Sequence, residues 1–247
     1  SSDLEPGLST LVPSLAQSFR DLTRIAAGDG AVLIRGETGS GKDLIAQAIH
    51  RRSPRRERPL VAVNCAAFQE SLLQSELFGH ERGAFTGATT DKLGLVRSAA
   101  AGTLFLDEVG DLPPPAQAAL LRTLQTKTVR PLGSTRDFPV DFRLLSATHR
   151  DLQDMIAKER FRADLYARLN AFEMVMPPLR KRREDLGIII AHILQKHGRT
   201  NALSKEAASI LFLDDWPLNI RELEQCLSSA CSLAGSSSRS ASPIGAR

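Results

Sequence analysis

An α/β domain with a largely parallel sheet, followed by a small helical domain, is the fold class that this 247-residue sequence predicts. Three observations lead there. Ala31-Val32-Leu33-Ile34, a glycine-rich stretch and the helically spaced set Leu44, Ile45, Ala48, Ile49 read as strand, turn and helix, the opening of a β-α unit. Short apolar runs then alternate with helical patterns, as strands of a parallel sheet do when crossovers join them. At Pro177-Pro178 the character changes, and helical periodicity takes over.

Each element has its own signal. Leu15, Phe19, Leu22 and Ile25 share one helix face. Further strands are expected at Leu60–Val63, Leu104–Leu106, Phe142–Ala147 and Phe172–Met176. A helix over Ala116–Leu124 is entered through Pro113-Pro114-Pro115, since proline is tolerated before and within a first turn. Beyond the boundary, Leu186–Leu194, Ala207–Leu213 and Ile220–Leu233 read as helices, the last with Asn219 as its N-cap. Gly235 opens a Ser-rich end with Pro243 and Gly245, a composition too poor in apolar residues to pack. The expected organisation is an α/β domain over 1–176, a helical domain over 177–233 and a disordered tail over 234–247.

Composition bounds the function. Hydrophobic content of 42% and charged content of 24% are ordinary for a soluble globular protein. No apolar run reaches membrane-spanning length, so no membrane partner is expected. The start, Ser1-Ser2-Asp3-Leu4, has no signal pattern and no initiator methionine, which suggests a fragment or a processed chain. Net charge is +4, with arginines clustered at Arg51-Arg52, at Arg55, Arg56 and Arg58, and from Arg180 to Arg183; the simplest reading is a solvated basic surface. One Tyr and one Trp supply no stacking platform for nucleic acid. The three cysteines form no C-x-x-C pair and suit a reducing cytoplasm. His192 and His197, five residues apart, fall on different helix faces, and no transition-metal site is indicated.

The chemistry starts at Gly36-Glu37-Thr38-Gly39-Ser40-Gly41-Lys42, which fits G-x-x-x-x-G-K. Backbone N–H groups of such a loop cradle phosphates, the helix that follows presents its positive end, and Lys42 reaches the β and γ phosphates. Residues Gly36 through Asp43 and Leu44 are therefore candidates for ATP binding. Position 43 is Asp where the general motif has Ser or Thr, so Asp43 would meet Mg²⁺ directly or through water. Asp107-Glu108 follows the strand Leu104–Leu106. Asp107 is assigned to Mg²⁺ and Glu108 to activation of the attacking water. Alone, an Asp-Glu pair more often begins a surface turn; beside a phosphate loop the catalytic reading prevails.

The hexapeptide Gly83-Ala84-Phe85-Thr86-Gly87-Ala88 lies between these two motifs. Together with Glu76–Arg82 and Gly102–Glu108, it makes the chain resemble the central AAA+ domain of bacterial sigma-54-dependent transcriptional activators, the enhancer-binding proteins. The resemblance continues through Phe161–Asn170, Pro177–Leu186 and Trp216–Leu223. It implies an AAA+ P-loop NTPase with a helical lid that works as a ring oligomer, a hexamer by family habit. ATP hydrolysis would remodel the sigma-54 RNA polymerase holoenzyme at the promoter and permit open-complex formation.

Residue by residue, the resemblance implies that Gly83–Ala88, with Phe85 and Thr86 at the tip, touch sigma-54. Asn64 would hold Glu108 and link nucleotide state to that loop, and Thr148 would be the first sensor. Arg162 and Arg168 would be arginine fingers donated to a neighbour, and Arg221 a second sensor on the lid. On spacing alone, Arg162 and Arg168 would be surface ion-pair residues, for example with Asp164, and Phe85 would be tucked onto its own domain.

Two positions depart from the family pattern. His149 stands beside the sensor Thr where Asn is usual, and Leu218 stands in Trp216-Pro217-Leu218-Asn219 where Gly is usual. A positive φ at Leu218 would strain the turn. No sensory module is expected before Leu4 and no helix-turn-helix after Leu233, so enhancer DNA would be reached only through a domain absent from this chain. Three rival readings are an AAA+ motor acting on another protein, a nucleotide-dependent binding module with slow turnover, and a basic nucleic-acid-binding protein, which would show salt-sensitive DNA binding.

Overall fold

A computed structural model describes residues 9–198 and 203–237. The described residues fall into two units: 18–36 with 42–176, and 9–17, 37–41, 177–198 and 203–237.

The first unit is built on a five-stranded sheet: β1 (Val32–Arg35), β2 (Leu60–Asn64), β3 (Thr103–Asp107), β4 (Arg143–Thr148) and β5 (Phe172–Val175). Its order is β2-β3-β4-β1-β5, and every pairing is parallel. β4 is buried along its whole length, as a strand covered on both faces must be. Leu33, Leu104, Leu106 and Leu144 join Val63, Leu73, Leu77, Phe78, Leu120 and Leu165 in one apolar core.

Parallel strands with short exit loops deliver their carboxyl ends to one edge, where ligands of open α/β sheets bind. The register fixes which residues arrive together. Asn64 is paired with Asp107, and Arg35 with Thr148. The amide of Gly36 then donates to the Thr148 carbonyl at 3.2 Å, tying the start of the glycine loop to the end of β4.

Helices α1 (Pro13–Ala27), α2 (Lys42–Arg51) and α4 (Pro114–Thr126) coincide with expected ones. α4 begins on proline at its first position, where the absent N–H has no partner to lose. The sequence signals do not include α3 (Glu70–Phe78), α5 (Leu152–Ala157) or α6 (Ala163–Leu169). α5 and α6 span only two turns or fewer, too short for periodicity to register. Asp151 caps α5 by accepting from the amides of Gln153 and Asp154, a signal that is present in the chain.

In the second unit, α7 (Leu186–Lys196), α8 (Lys205–Leu213) and α9 (Asn219–Ser237) enclose Leu186, Ile190, Ile193, Leu211, Trp216, Leu223 and Leu227. The Trp216 indole N–H donates to the Leu211 carbonyl at 2.9 Å, so its one polar atom is satisfied inside. Asp185, fully buried, accepts from the Thr10 hydroxyl and the Leu11 amide, which fastens the N-terminal segment to this unit. α9 runs to Ser237, so 234–237 are helical rather than disordered. Gly235 costs the helix about 1 kcal/mol, but no proline interrupts before Pro243. The remainder of the expected tail, 238–247, lies outside the described residues.

Arg143 is the largest fully buried side chain of the first unit. It sits on β4 and donates to the carbonyls of Ala26 and Ile25 at 2.7 and 2.6 Å, closing the C-terminus of α1. Burial lowers its pKa, yet a cation at a helix C-terminus meets the negative end of the dipole. Arg143→Met keeps the apolar stem and leaves those carbonyls unmet. It should cost about 1–3 kcal/mol of stability. Urea unfolding checks this, and a wild-type midpoint would show that the cap contributes nothing.

Candidate nucleotide site and partner loop

Lys42 opens α2 and is almost fully buried. Its Nζ donates to the Gly36 carbonyl at 3.0 Å and to Glu108 Oε1 at 3.4 Å. Glu108 follows β3 in the left-handed region at φ 54°, a conformation that costs a non-glycine residue energy and concentrates at functional sites. Its other oxygen, Oε2, accepts from the His149 amide at 3.1 Å and from the imidazole Nδ1–H at 2.7 Å. Both carboxylate oxygens are therefore engaged.

The adjacent acids are pushed in opposite directions. Burial raises the pKa of Asp107, and the charge of Glu108 raises it further. Burial also works to raise Glu108, but the His149 hydrogen bond and the Lys42 charge outweigh it and leave it lowered. Glu108 is thus held ionised, as a proton acceptor must be. Asp107 is a carboxylate short of a cation, and the negative charge of Asp43 is among the groups acting on it. Among the described residues no group of three or more His, Cys, Asp or Glu forms a protein cage for a metal. One or two hard carboxylates completed by phosphate and water is a donor set that fits Mg²⁺.

The other predicted residues are placed as follows. Thr148 is fully buried at the end of β4, and its hydroxyl accepts from the Arg150 amide at 3.0 Å. The Asn64 side chain accepts from the Ala66 amide at 2.9 Å and caps a short turn, so Glu108 is gripped by His149 and Lys42 and not by Asn64. Arg162 stands before α6 in a two-bond pair with Asp164, at 3.0 and 2.7 Å. Arg168, near the end of α6, is exposed, as are Asp43 and Leu44 at the start of α2.

Residues Glu37–Gly41 belong to the helical unit. Arg180 donates through both terminal nitrogens to the Glu37 carboxylate, at 2.7 and 2.5 Å. Arg182, buried, donates to the Ser40 carbonyl at 2.8 Å. Arg183 pairs with Asp215. Arg180, Arg182 and Arg183 are therefore structural wiring and not simply the solvated basic surface expected of them. The same holds for Arg55, which binds Asp29 and Asp141. Composition could not show this, because the carboxylates are distant in sequence. Arg221 is exposed, with its Cβ 3.0 Å from where a Cβ on Gly39 would lie. Positive φ falls on Trp216 (49°) and Asn219 (58°), and Leu218 carries none of the strain anticipated there. Asn219 is the first residue of α9 rather than a side-chain N-cap, its carboxamide serving other partners.

The hexapeptide forms a closed turn. The Gly83 amide donates to the Ala88 carbonyl at 2.9 Å, and the Ala88 amide to the Phe85 carbonyl at 3.0 Å. Gly83 and Gly87 sit at φ 84° and 100°, with nothing within 4 Å of an added Cβ; here glycine answers to backbone conformation and not to crowding. Phe85 is 40% exposed, and its ring leans edge-on against His80 at a centroid distance of 5.0 Å. It is neither buried nor fully free.

A family model described as the sigma-54 interaction domain matches residues 9–175, and one described as an AAA+ ATPase lid domain matches 180–243. The chain belongs to the sigma-54 interaction domain family. It is 46% identical over 227 residues to the transcriptional regulatory protein GlrR of Escherichia coli K12, covering 88% of this chain and 51% of that protein. It is 48% identical over 224 residues to the DNA-binding transcriptional activator HyfR of the same organism, covering 87% of this chain and 33% of HyfR. Among solved structures, NtrX from Brucella abortus in complex with ATP matches at a TM-score of 0.81 and 32% identity, covering 93% of this chain and 53% of that one. The chain thus spans about half or less of the length of these relatives. Its fold is the AAA+ P-loop NTPase fold of this family, with a helical lid.

The Arg180 hydrogen bonds, aided by Asn219, hold the Glu37 pKa down to about 2 from its ordinary 4.5. A folded-state pKa below the unfolded one contributes stability above the unfolded value and loses it as pH falls through the folded one. The advantage of wild type over Glu37→Gln should therefore be full above pH 4.5 and gone near pH 2. At a largely solvent-exposed pair it should amount to about 1 kcal/mol or less. Urea titrations of both proteins across that window measure it; a gap that persists at pH 2 would contradict the pairing.

Proposed function

We propose that this chain is the ATP-hydrolysing, sigma-54-contacting domain of a bacterial transcriptional activator, remodelling the sigma-54 RNA polymerase promoter complex so that it can open. The observation that carries the reading is the glycine-bounded turn at 83–88, with a half-exposed phenylalanine, in a chain of the sigma-54 interaction family. ATP hydrolysis is supported by the phosphate loop and the engaged Glu108, and by NtrX having been solved with ATP.

In this reading the loop from Gly36 to Leu44 binds ATP, with Lys42 on the β and γ phosphates. Glu108 takes a proton from the attacking water, and the His149 amide and imidazole aim its Oε2. Incoming phosphate competes for Lys42, whose 3.4 Å contact with Glu108 is long for a charged hydrogen bond and easily given up. Asp107 and Asp43 would hold Mg²⁺, which supplies charge neutralisation across the phosphates. Thr148 and Arg221 are the two sensor positions, and Asn64 would have to leave the Ala66 amide to pass nucleotide state toward the loop. Arg162 and Arg168 complete the site of a neighbouring subunit, so the working form is a ring, in this family a hexamer, in the cytoplasm.

Capture of purified sigma-54 in the presence of ADP and aluminium fluoride tests the partner. Wild type should retain sigma-54 only with that nucleotide mimic, and Phe85→Ala should lose it while still hydrolysing ATP. Hydrolysing, assembling protein that captures nothing would move the domain to another substrate. Glu108→Gln should bind nucleotide and lower hydrolysis by about 10²-fold or more. Wild-type turnover in that variant would remove Glu108 from its role.

A further inference from the structure

Asn219 makes more connections than its place in the chain suggests. It is fully buried and left-handed at φ 58°, a region that Asn enters more readily than most residues. Its carboxamide oxygen accepts from the Leu179 amide at 2.7 Å. Its nitrogen donates to the Thr38 carbonyl at 3.0 Å and, more weakly, to Glu37 Oε2 at 3.3 Å. The next residue, Ile220, donates its backbone N–H to the Gly39 carbonyl at 3.0 Å. Arg182 takes the Ser40 carbonyl. Three successive carbonyls of the glycine loop, at 38, 39 and 40, are each held by a donor from the lid segments.

This has a geometric consequence. In a trans peptide the C=O and the following N–H point in opposite directions. Anchoring the carbonyls of Thr38 and Ser40 from the lid segments fixes the planes of the peptides that carry the Gly39 and Gly41 N–H groups, each of which points away from its anchored carbonyl. The Ser40 amide closes back on the Glu37 carbonyl at 3.2 Å, which tightens the turn. An anion nest at this loop would therefore draw on the Gly39 and Gly41 peptides, whose orientation the lid segments set. Contact with the lid turn is close enough that a Cβ on Gly39, itself at φ 75°, would lie 2.1 Å from the Leu218 carbonyl oxygen. Only glycine permits that approach.

We propose that Asn219 is a positioning residue for nucleotide binding: it sets the orientation of the phosphate-loop peptides from the lid, with Arg180 and Arg182 as charged supports. The inference rests on the reading that residues 36–44 bind ATP. It assigns to Asn219 no contact with nucleotide; the effect passes through the peptide planes. It also explains why this position is not a conventional cap, since the side chain is committed outside its own helix.

Asn219→Asp is the sharpest test. Aspartate tolerates the left-handed backbone and still accepts from Leu179. It replaces the donor facing the Thr38 carbonyl and Glu37 with an anionic oxygen, so attraction becomes repulsion. Binding of a fluorescent ATP analogue and steady-state hydrolysis are measured on the full chain, with thermal melting as a control. The expected result is at least a tenfold rise in Kd and KM, with kcat at saturation within about threefold of wild type, and a lowered melting temperature, since the new charge is buried. Arg180→Ala, at an exposed position, should raise KM about threefold to fivefold, and Arg180→Lys should recover only part, because an ammonium cannot make the paired bonds. If Asn219→Asp is unfolded at the assay temperature, the Arg180 pair decides. Wild-type KM in both Asn219→Asp and Arg180→Ala overturns the inference. Failure of the wild-type chain itself to bind the analogue would instead overturn the nucleotide reading, before any variant is compared.

Discussion

All five strands of the sheet run in the same direction, and the placement of the chemistry follows from that constraint. A strand that enters the sheet parallel to its neighbours must leave at the same edge. Gly36, Asn64, Asp107, Glu108 and Thr148 each sit at or just past a strand end. They are far apart in sequence and share an edge because of chain direction, before any side chain is considered. Register refines this: Asn64 is level with Asp107 because β2 and β3 pair without offset from Leu60 and Thr103 onward. A one-residue slip in a strand would turn alternate side chains to the opposite face. The buried Leu104 and Leu106 on β3 oppose such a slip, since the core is packed around them.

Within that edge, electrostatics separates two neighbouring carboxylates. Asp107 and Glu108 are consecutive and share the Lys42 charge, yet one is raised and the other lowered. Hydrogen bonding makes the difference. Glu108 receives two bonds from His149, whereas Asp107 accepts only the backbone amide of Glu108 among the described contacts. A group stabilised as an anion and a neighbour still seeking positive charge are suited to different tasks. That division matches proton acceptance for one and metal binding for the other.

Much of this is legible in the chain. Strand–loop–helix at 31–49, the acidic end of β3 and the helical run after Pro177 each carry a local signature, and each forms as expected. What is not legible depends on long-range pairing. Arg180, Arg182 and Arg183 look like any charged surface run until Glu37, Ser40 and Asp215 are brought beside them. Asn219 reads as a cap because caps are the commonest use of Asn before a helix. His149 stands out as unusual in the sequence, but its bond to Glu108 spans 41 positions and no spacing rule reaches it. Leu218 is the residue of its turn at which strain is expected. The chain instead places positive φ at the residues on either side of the Pro217-Leu218 pair.

The pairing of Arg162 with Asp164 bears on how such a domain could wait for a neighbour. A flexible exposed arginine loses entropy when it is ordered in a second subunit's site. Asp164 already holds the Arg162 guanidinium through two bonds, so part of that freedom is lost in the single chain. Breaking an exposed pair costs about 1 kcal/mol at most. An arginine supplied in trans to a transferring phosphoryl group is worth about 10³–10⁵ in rate, or roughly 4–7 kcal/mol. Transition-state stabilisation of that size exceeds the cost of breaking the pair, so the Asp164 contact would not block the proposed role. It would keep the guanidinium extended at the surface, ready to exchange one anionic partner for another.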